Sequence, residues 1–86
     1  MNPFSLIISS PDGDLYRGEV LSISLRGVEG ELAILAGHAP FVTAVKPCKV
    51  VVELENETKT GMTDGGILTV SKESTTFLSG TFDWQE

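Results

Sequence analysis

The chain has 86 residues, a net charge of -6 and a single cysteine, Cys48. This length allows one domain, over residues 1–86. Phosphate contacts and basic membrane-surface helices need clustered Lys and Arg, so the acidic balance excludes a nucleic-acid-binding protein. One cysteine excludes an internal disulfide, and no apolar run approaches the ~18 residues of a membrane helix. We therefore expect a soluble, cytoplasmic domain that does not insert into a membrane.

Short apolar alternations separated by turn residues run along the whole chain, and no stretch of ten residues has helical spacing. The first alternation is followed by a Pro-Asp-Gly turn, after which the chain returns through 15–17. The predicted strands cover 4–9, 21–25, 32–35, 41–45, 50–54, 59–63, 67–70 and 75–78. Phe82 and Trp84 follow the last strand, and we expect both to be exposed. This pattern predicts an all-β fold, an antiparallel two-sheet β-sandwich or flattened barrel.

The segment from Gly30 to Pro47 is the most distinctive part of the sequence. It consists of two short apolar runs joined by the corner Ala-Gly-His-Ala-Pro. A run this short, closed by Gly and Pro, predicts a strand buried on both faces. Gly37 can take a positive φ at the corner, and the second run stops at Pro47, which cannot sit inside a sheet.

This segment carries a family resemblance. Gly30-Glu31-Leu32-Ala33-Ile34 followed by Gly37-His38-Ala39-Pro40 resembles the signature of the epsilon subunit of rotary (F-type) ATP synthases, in its N-terminal β-sandwich domain. The opening 4–9 strand, the Lys-Pro after the corner and the late 65–70 hairpin are similar to the same family. The resemblance covers essentially all of the chain.

The resemblance implies a non-catalytic subunit of the central stalk without a cofactor. In the family, one face of the sandwich packs on the gamma subunit and one end docks on polar loops of the membrane c-ring. The alpha and beta subunits are reached only through the complex. We therefore expect a peripheral protein on the cytoplasmic face of the inner (plasma) membrane, which couples ion-driven rotation to ATP synthesis.

Two sets of site residues follow from the resemblance. The predicted c-ring interface is Glu29, Gly30, Glu31 and His38, and the predicted gamma interface is Ser10, Val42, Thr43, Phe77 and Ser79. Because the family's ring loops carry an arginine, two carboxylates on one turn have a physical reason to be there. A solvated loop without a partner is the alternative for this turn.

His38 is the only histidine, and no serine elbow, paired carboxylate motif or Cys-His signature accompanies it. It also has no companions at metal-ligand spacing. A small hydrolase that uses His38 is one alternative function. A biotinyl- or lipoyl-type carrier domain is another, although Lys46, Lys49, Lys59 and Lys72 do not lie at a hairpin tip between hydrophobic neighbours.

Family members usually continue into a C-terminal helical hairpin that inhibits ATP hydrolysis. This sequence ends at Glu86, directly after the predicted sandwich. We expect no helical hairpin within this sequence, and therefore no inhibition by helix extension.

Overall fold

Residues 2–85, the part of the chain that the computed structural model of the protein describes, contain ten strands and the turns between them. The strands are β1 (Phe4–Ser10), β2 (Gly13–Val20), β3 (Ser22–Gly27), β4 (Gly30–Ile34), β5 (Phe41–Val45), β6 (Cys48–Glu53), β7 (Thr58–Thr63), β8 (Gly66–Val70), β9 (Thr75–Ser79) and β10 (Phe82–Gln85). Over this range the all-β prediction is confirmed.

The strands form two layers of five. One layer has the order β5-β8-β9-β1-β2, and the other has the order β4-β3-β6-β7-β10. The layers join at the end of β3, where Gly27 pairs with Val45 of β5. This arrangement is the predicted sandwich, closed along one side into a flattened barrel.

One pair of strands is parallel, so the prediction of a purely antiparallel sandwich is wrong there. β1 runs beside β9 in the same direction, with Leu6 opposite Thr75 and Ile8 opposite Phe77. Hairpin signals in a sequence specify only neighbours joined by a short turn. The β1–β9 pair brings together the two ends of the chain, and packing of the core determines its direction.

The core lies between the two layers and consists of alternate side chains from both. Phe77 is fully buried, and Phe82 is only 7% exposed. The Phe82 ring covers Gly61, where a Cβ would lie 2.5 Å from the ring. The expected exposure of Phe82 is therefore wrong, because β10 adds a tenth strand that pairs with β7 and turns this ring inward.

β4 is an edge strand, because it pairs with β3 alone. Glu31 and Ala33 are exposed, whereas Ile34 is buried. The expected burial of both faces is therefore wrong: one face of β4 contributes to the core and the other is open to solvent. No helix within residues 2–85 has the length and apolar character to cross a membrane.

Side chains close the seam between β2 and β10, the two strands at the ends of the pairing path. The Tyr16 and Trp84 rings meet edge to face at 6.1 Å, and Trp84 Nε1–H donates to the Leu15 carbonyl at 3.4 Å. Lys59 Nζ lies over both rings, 4.7 Å from the centre of Trp84. Burial, with a contribution from the Glu57 carboxylate, raises the pKa of Tyr16 above its ordinary value of 10.0, so its phenol is neutral at pH 7.

Candidate docking surfaces

The turn between β3 and β4 presents two carboxylates at one end of the sandwich. Gly27 pairs with Gly30 across the hairpin, and Gly30 has a φ of 134°, which favours glycine. Val28 N–H donates to the Ala44 carbonyl at 3.1 Å and so fixes the turn against β5. Glu29 and Glu31 are exposed beside it. The turn therefore holds two anionic groups on a firmly anchored backbone.

Glu31 is already in an ion pair. Arg26 lies opposite it in the β3–β4 ladder, and its Nη2–H donates to Glu31 Oε2 at 2.8 Å. Both side chains are largely exposed, at 55% and 76% respectively. Water screens such a pair, so it can open at little cost.

His38 lies at the other end of the sandwich. Val45, at one end of β5, pairs with Gly27 next to the acidic turn, whereas Phe41, at the other end, packs against His38 with ring centres 5.0 Å apart. Phe41 and Val45 are four positions apart along an extended strand, which is about 13 Å. The structure does not bring His38 together with Glu29, Gly30 and Glu31, because β4 and β5 both run the length of the sandwich between them. One end cannot present all four predicted residues.

The hydrogen bonding of His38 does not support the hydrolase alternative. Its Nδ1–H donates to the carbonyl of the adjacent Ala39 at 2.8 Å. A catalytic histidine would direct this ring toward a nucleophile and an orienting group. The ring borders a groove of about 580 Å³ that Glu19 and Glu73 also line, but its hydrogen bond is to the backbone of Ala39.

A patch of exposed apolar side chains lies on the outer face of the β5-β8-β9 layer. Val42, Ile67 and Leu78 are 65%, 44% and 53% exposed. Ile67 lies directly opposite Leu78 in the β8–β9 ladder. Ala44 lies opposite Ile67, so Val42 is its diagonal neighbour. We call these three residues the apolar face. Single exposed apolar residues are ordinary, but a contiguous group is typical of an interface.

The five residues predicted to contact gamma are not on one surface. Val42 belongs to the apolar face, and Thr43 follows it on the opposite face of β5. Phe77 and Ser79 are buried, at 0% and 2% exposure, because they alternate inward while Leu78 points outward. The side chains of Phe77 and Ser79 therefore face the core, and Leu78 is the exposed residue between them on this strand. Ser10, half-buried, ends β1 next to the Pro-Asp-Gly turn.

Ser79 forms hydrogen bonds inside the sandwich. Its hydroxyl shares a 2.7 Å hydrogen bond with Thr63 Oγ1 and donates to the Thr81 carbonyl at 2.6 Å. Asp64 accepts the Thr81 backbone N–H at 2.8 Å nearby. These bonds join the β7–β8 turn to the β9–β10 turn at the acidic end. Neither Ile67 nor Leu78 is among the predicted site residues. Alternation along β9 could have identified Leu78, because Phe77 and Ser79 on either side of it face inward.

Comparison with known protein families gives a match over residues 3–85 to the family model for the beta-sandwich domain of the ATP synthase delta/epsilon chain. The chain belongs to this family. Membership confirms the resemblance found in the sequence, and it leaves the carrier-domain alternative without support.

Curated relatives agree with this family. The ATP synthase epsilon chain of Clostridium perfringens is 37% identical over 87 residues, which is 100% of this chain and 65% of the relative. The epsilon chain of a Wolbachia pipientis strain is 36% identical over 80 residues, 92% of this chain and 71% of the relative. The chain therefore spans less than two thirds of the length of the Clostridium protein.

Solved structures show the same fold. A chain in the mitochondrial ATP synthase of Euglena gracilis, solved as an OSCP/F1/c-ring assembly, superposes with a TM-score of 0.89 at 24% identity, over 95% of this chain and 53% of that one. A chain from the central stalk and c-ring of the Tetrahymena thermophila mitochondrial ATP synthase gives a TM-score of 0.80 at 12% identity, over 94% of this chain and 66% of that one. At 24% and 12% identity, these superpositions show that the chain shares the fold of those two proteins.

Proposed function

We propose that this chain is a non-catalytic docking domain of the central stalk of an F-type ATP synthase. It binds the gamma subunit with its apolar face and the c-ring with the Glu29–Glu31 turn, and so couples ion-driven rotation to ATP synthesis. It needs no cofactor of its own and meets the alpha and beta subunits only through the complex. Within that complex it is peripheral, on the cytoplasmic face of the membrane.

The apolar face is the observation that carries the gamma half of this proposal. An interface that withstands torque needs on the order of 800 Å² per partner, with a desolvated apolar centre. That centre is supplied by Val42, Ile67 and Leu78, which lie on one layer. Strand pairing of β5 with β8 and of β8 with β9 holds the backbone of all three in place. Among the other predicted gamma residues, we place Ser10 at the border of this contact. Thr43 faces away from the contact and contributes only as the neighbour of Val42 in β5.

Charge supports the ring half. Glu29 and Glu31 are exposed on an anchored turn, and a carboxylate there can take a charge-assisted hydrogen bond from a cationic side chain. Gly30 is part of the contact because its positive φ sets the direction of the turn. We leave His38 out of the ring contact, because it lies about 13 Å away along the strands.

Co-purification with the gamma subunit tests the proposal. Ile67→Asp places a charge in the apolar face and should abolish recovery of gamma. Met62→Asp is a matched control, because Met62 is 41% exposed, much like Ile67 at 44%, but lies on β7 in the other layer. Equal loss of gamma in the two variants, or none in either, would remove the apolar face from the account.

A further inference from the structure

The Arg26–Glu31 ion pair occupies the same carboxylate that the proposed ring contact uses. We propose that Arg26 competes with the partner's cation for Glu31 and so determines how tightly, and at what ionic strength, the turn docks. This inference rests on the proposed function, of which it describes the regulation.

The geometry makes the two contacts compete. Arg26 Nη2 already holds Glu31 Oε2 at 2.8 Å. A guanidinium that binds a carboxylate in the bidentate mode needs both oxygens. A partner arginine must therefore displace Arg26 or donate to Oε1 alone, with the like charge of Arg26 beside it. Either outcome weakens docking relative to a turn without Arg26.

Arg26 is not needed to hold Glu31 in place. The β3–β4 ladder fixes the backbone of both residues, with Arg26 paired to Glu31 and Leu25 to Leu32. The backbone of Arg26 is held separately, since its N–H donates to Cys48 Sγ at 3.4 Å and its carbonyl accepts from Lys46 N–H at 2.9 Å. Removing the guanidinium should leave the turn intact and free the carboxylate.

The surroundings add to the competition. Arg26, Glu31 and Lys49 line one groove of about 620 Å³ on the outer surface of β3, β4 and β6. Lys49 is therefore a second positive charge in the same groove, on the far side of Arg26 from Glu31. Both ion-pair side chains are exposed, so the competition is weak and graded, and salt reduces it.

The chain contains a matched control for this idea. Arg17 and Asp14 form the other ion pair among the described residues, also at 2.8 Å and also exposed, on β2 at the far edge of the sandwich. Arg17→Gln and Arg26→Gln change the net charge equally. A difference between them therefore reports local competition and excludes the general effect of a more acidic domain.

The test measures binding of the 86-residue chain to purified c-ring. We expect Arg26→Gln to bind about threefold more tightly than wild type at low salt, within the range of exposed ion pairs, with the gain shrinking at high salt. Arg17→Gln should differ from wild type by less than that. In a Glu31→Gln background, Arg26→Gln should give no gain. Equal behaviour of the two arginine variants, weaker binding of Arg26→Gln, or a gain that survives loss of Glu31 would overturn the inference.

A second measurement does not depend on the ring. In an NMR titration with arginine amide, followed at the Glu31 side-chain carboxyl carbon, Arg26→Gln should respond at lower ligand concentration than wild type. A ring that fails to bind while this titration behaves as expected contradicts the proposed function and leaves the competition standing. Ring binding with identical titrations contradicts the competition alone.

Discussion

Tyr16 and Trp84 meet edge to face across the side of the sandwich that no strand pairing among the described residues closes, with ring centres 6.1 Å apart. Tyr16 comes from β2 and Trp84 from β10, and Lys59, on the strand β7 that pairs with β10, places its ammonium 4.7 Å from the centre of the indole and 5.9 Å from that of the phenol ring. The contact between the two aromatic rings, with the ammonium lying over both, joins β2 to β10 in place of a hydrogen-bond ladder.

Lys59→Met tests this contact. Methionine keeps the apolar stem but removes the charge, so we expect a loss of about 0.5–1 kcal/mol in the free energy of unfolding. Lys72→Met, in the exposed β8–β9 turn, should change it by less than about 0.5 kcal/mol. Urea denaturation of both variants measures the difference. Identical midpoints would mean that the cation contributes nothing to the seam.

Trp84 is the only tryptophan, so its fluorescence reports the seam directly. Because the indole is half-buried and its Nε1–H is bonded to Leu15, we expect emission at shorter wavelength than free tryptophan in water. The maximum should move to longer wavelength on unfolding. A native maximum equal to that of the unfolded chain would contradict the packing of Trp84 against Tyr16 and Phe82.

Gly66→Ala should damage the layer that carries the apolar face. A Cβ at Gly66 would lie 2.0 Å from the Leu78 carbonyl oxygen, a backbone atom that cannot move without breaking the β8–β9 ladder. We expect a loss of about 3 kcal/mol in unfolding free energy. Gly18→Ala meets only the Tyr16 side chain, at 3.2 Å, and should cost less than about 1 kcal/mol. Similar melting temperatures for the two variants would show that β8 and β9 are less closely packed than described.

Ser79→Ala separates a structural role from a contact role. Loss of the hydroxyl removes its bonds to Thr63 and Thr81 and should lower the unfolding free energy by about 1–2 kcal/mol. Recovery of the gamma subunit by the folded variant should be unchanged, because the side chain is buried. Loss of gamma binding without loss of stability would return Ser79 to the interface.

Local patterns in the sequence predicted most strands and the two-layer fold, because alternation and turn residues act over a few positions. β10 was missed, since four residues ending in Trp84 and Gln85 carry too short an alternation to stand out. The parallel β1–β9 pair was missed for another reason, since pairing of distant strands depends on the whole core.

The candidate docking surfaces also differ in how far the sequence alone predicts them. The acidic turn was found because its two carboxylates and two glycines are adjacent in sequence. His38 lies at the opposite end of β4 from this turn, and the separation follows from strand length, since each residue extends a strand by about 3.3 Å. The apolar face combines residues from three strands, and only the register of β5, β8 and β9 brings them together.

The central claim is that two separate surfaces of one rigid sandwich bind two different partners. The most direct test measures binding of the chain to purified gamma subunit and, separately, to purified c-ring, for wild type, Leu78→Asp and Glu31→Lys. We predict that Leu78→Asp loses at least about tenfold in affinity for gamma and keeps ring binding, whereas Glu31→Lys loses ring binding and keeps gamma. Loss of both partners in both folded variants, or of neither partner in either, would contradict the account.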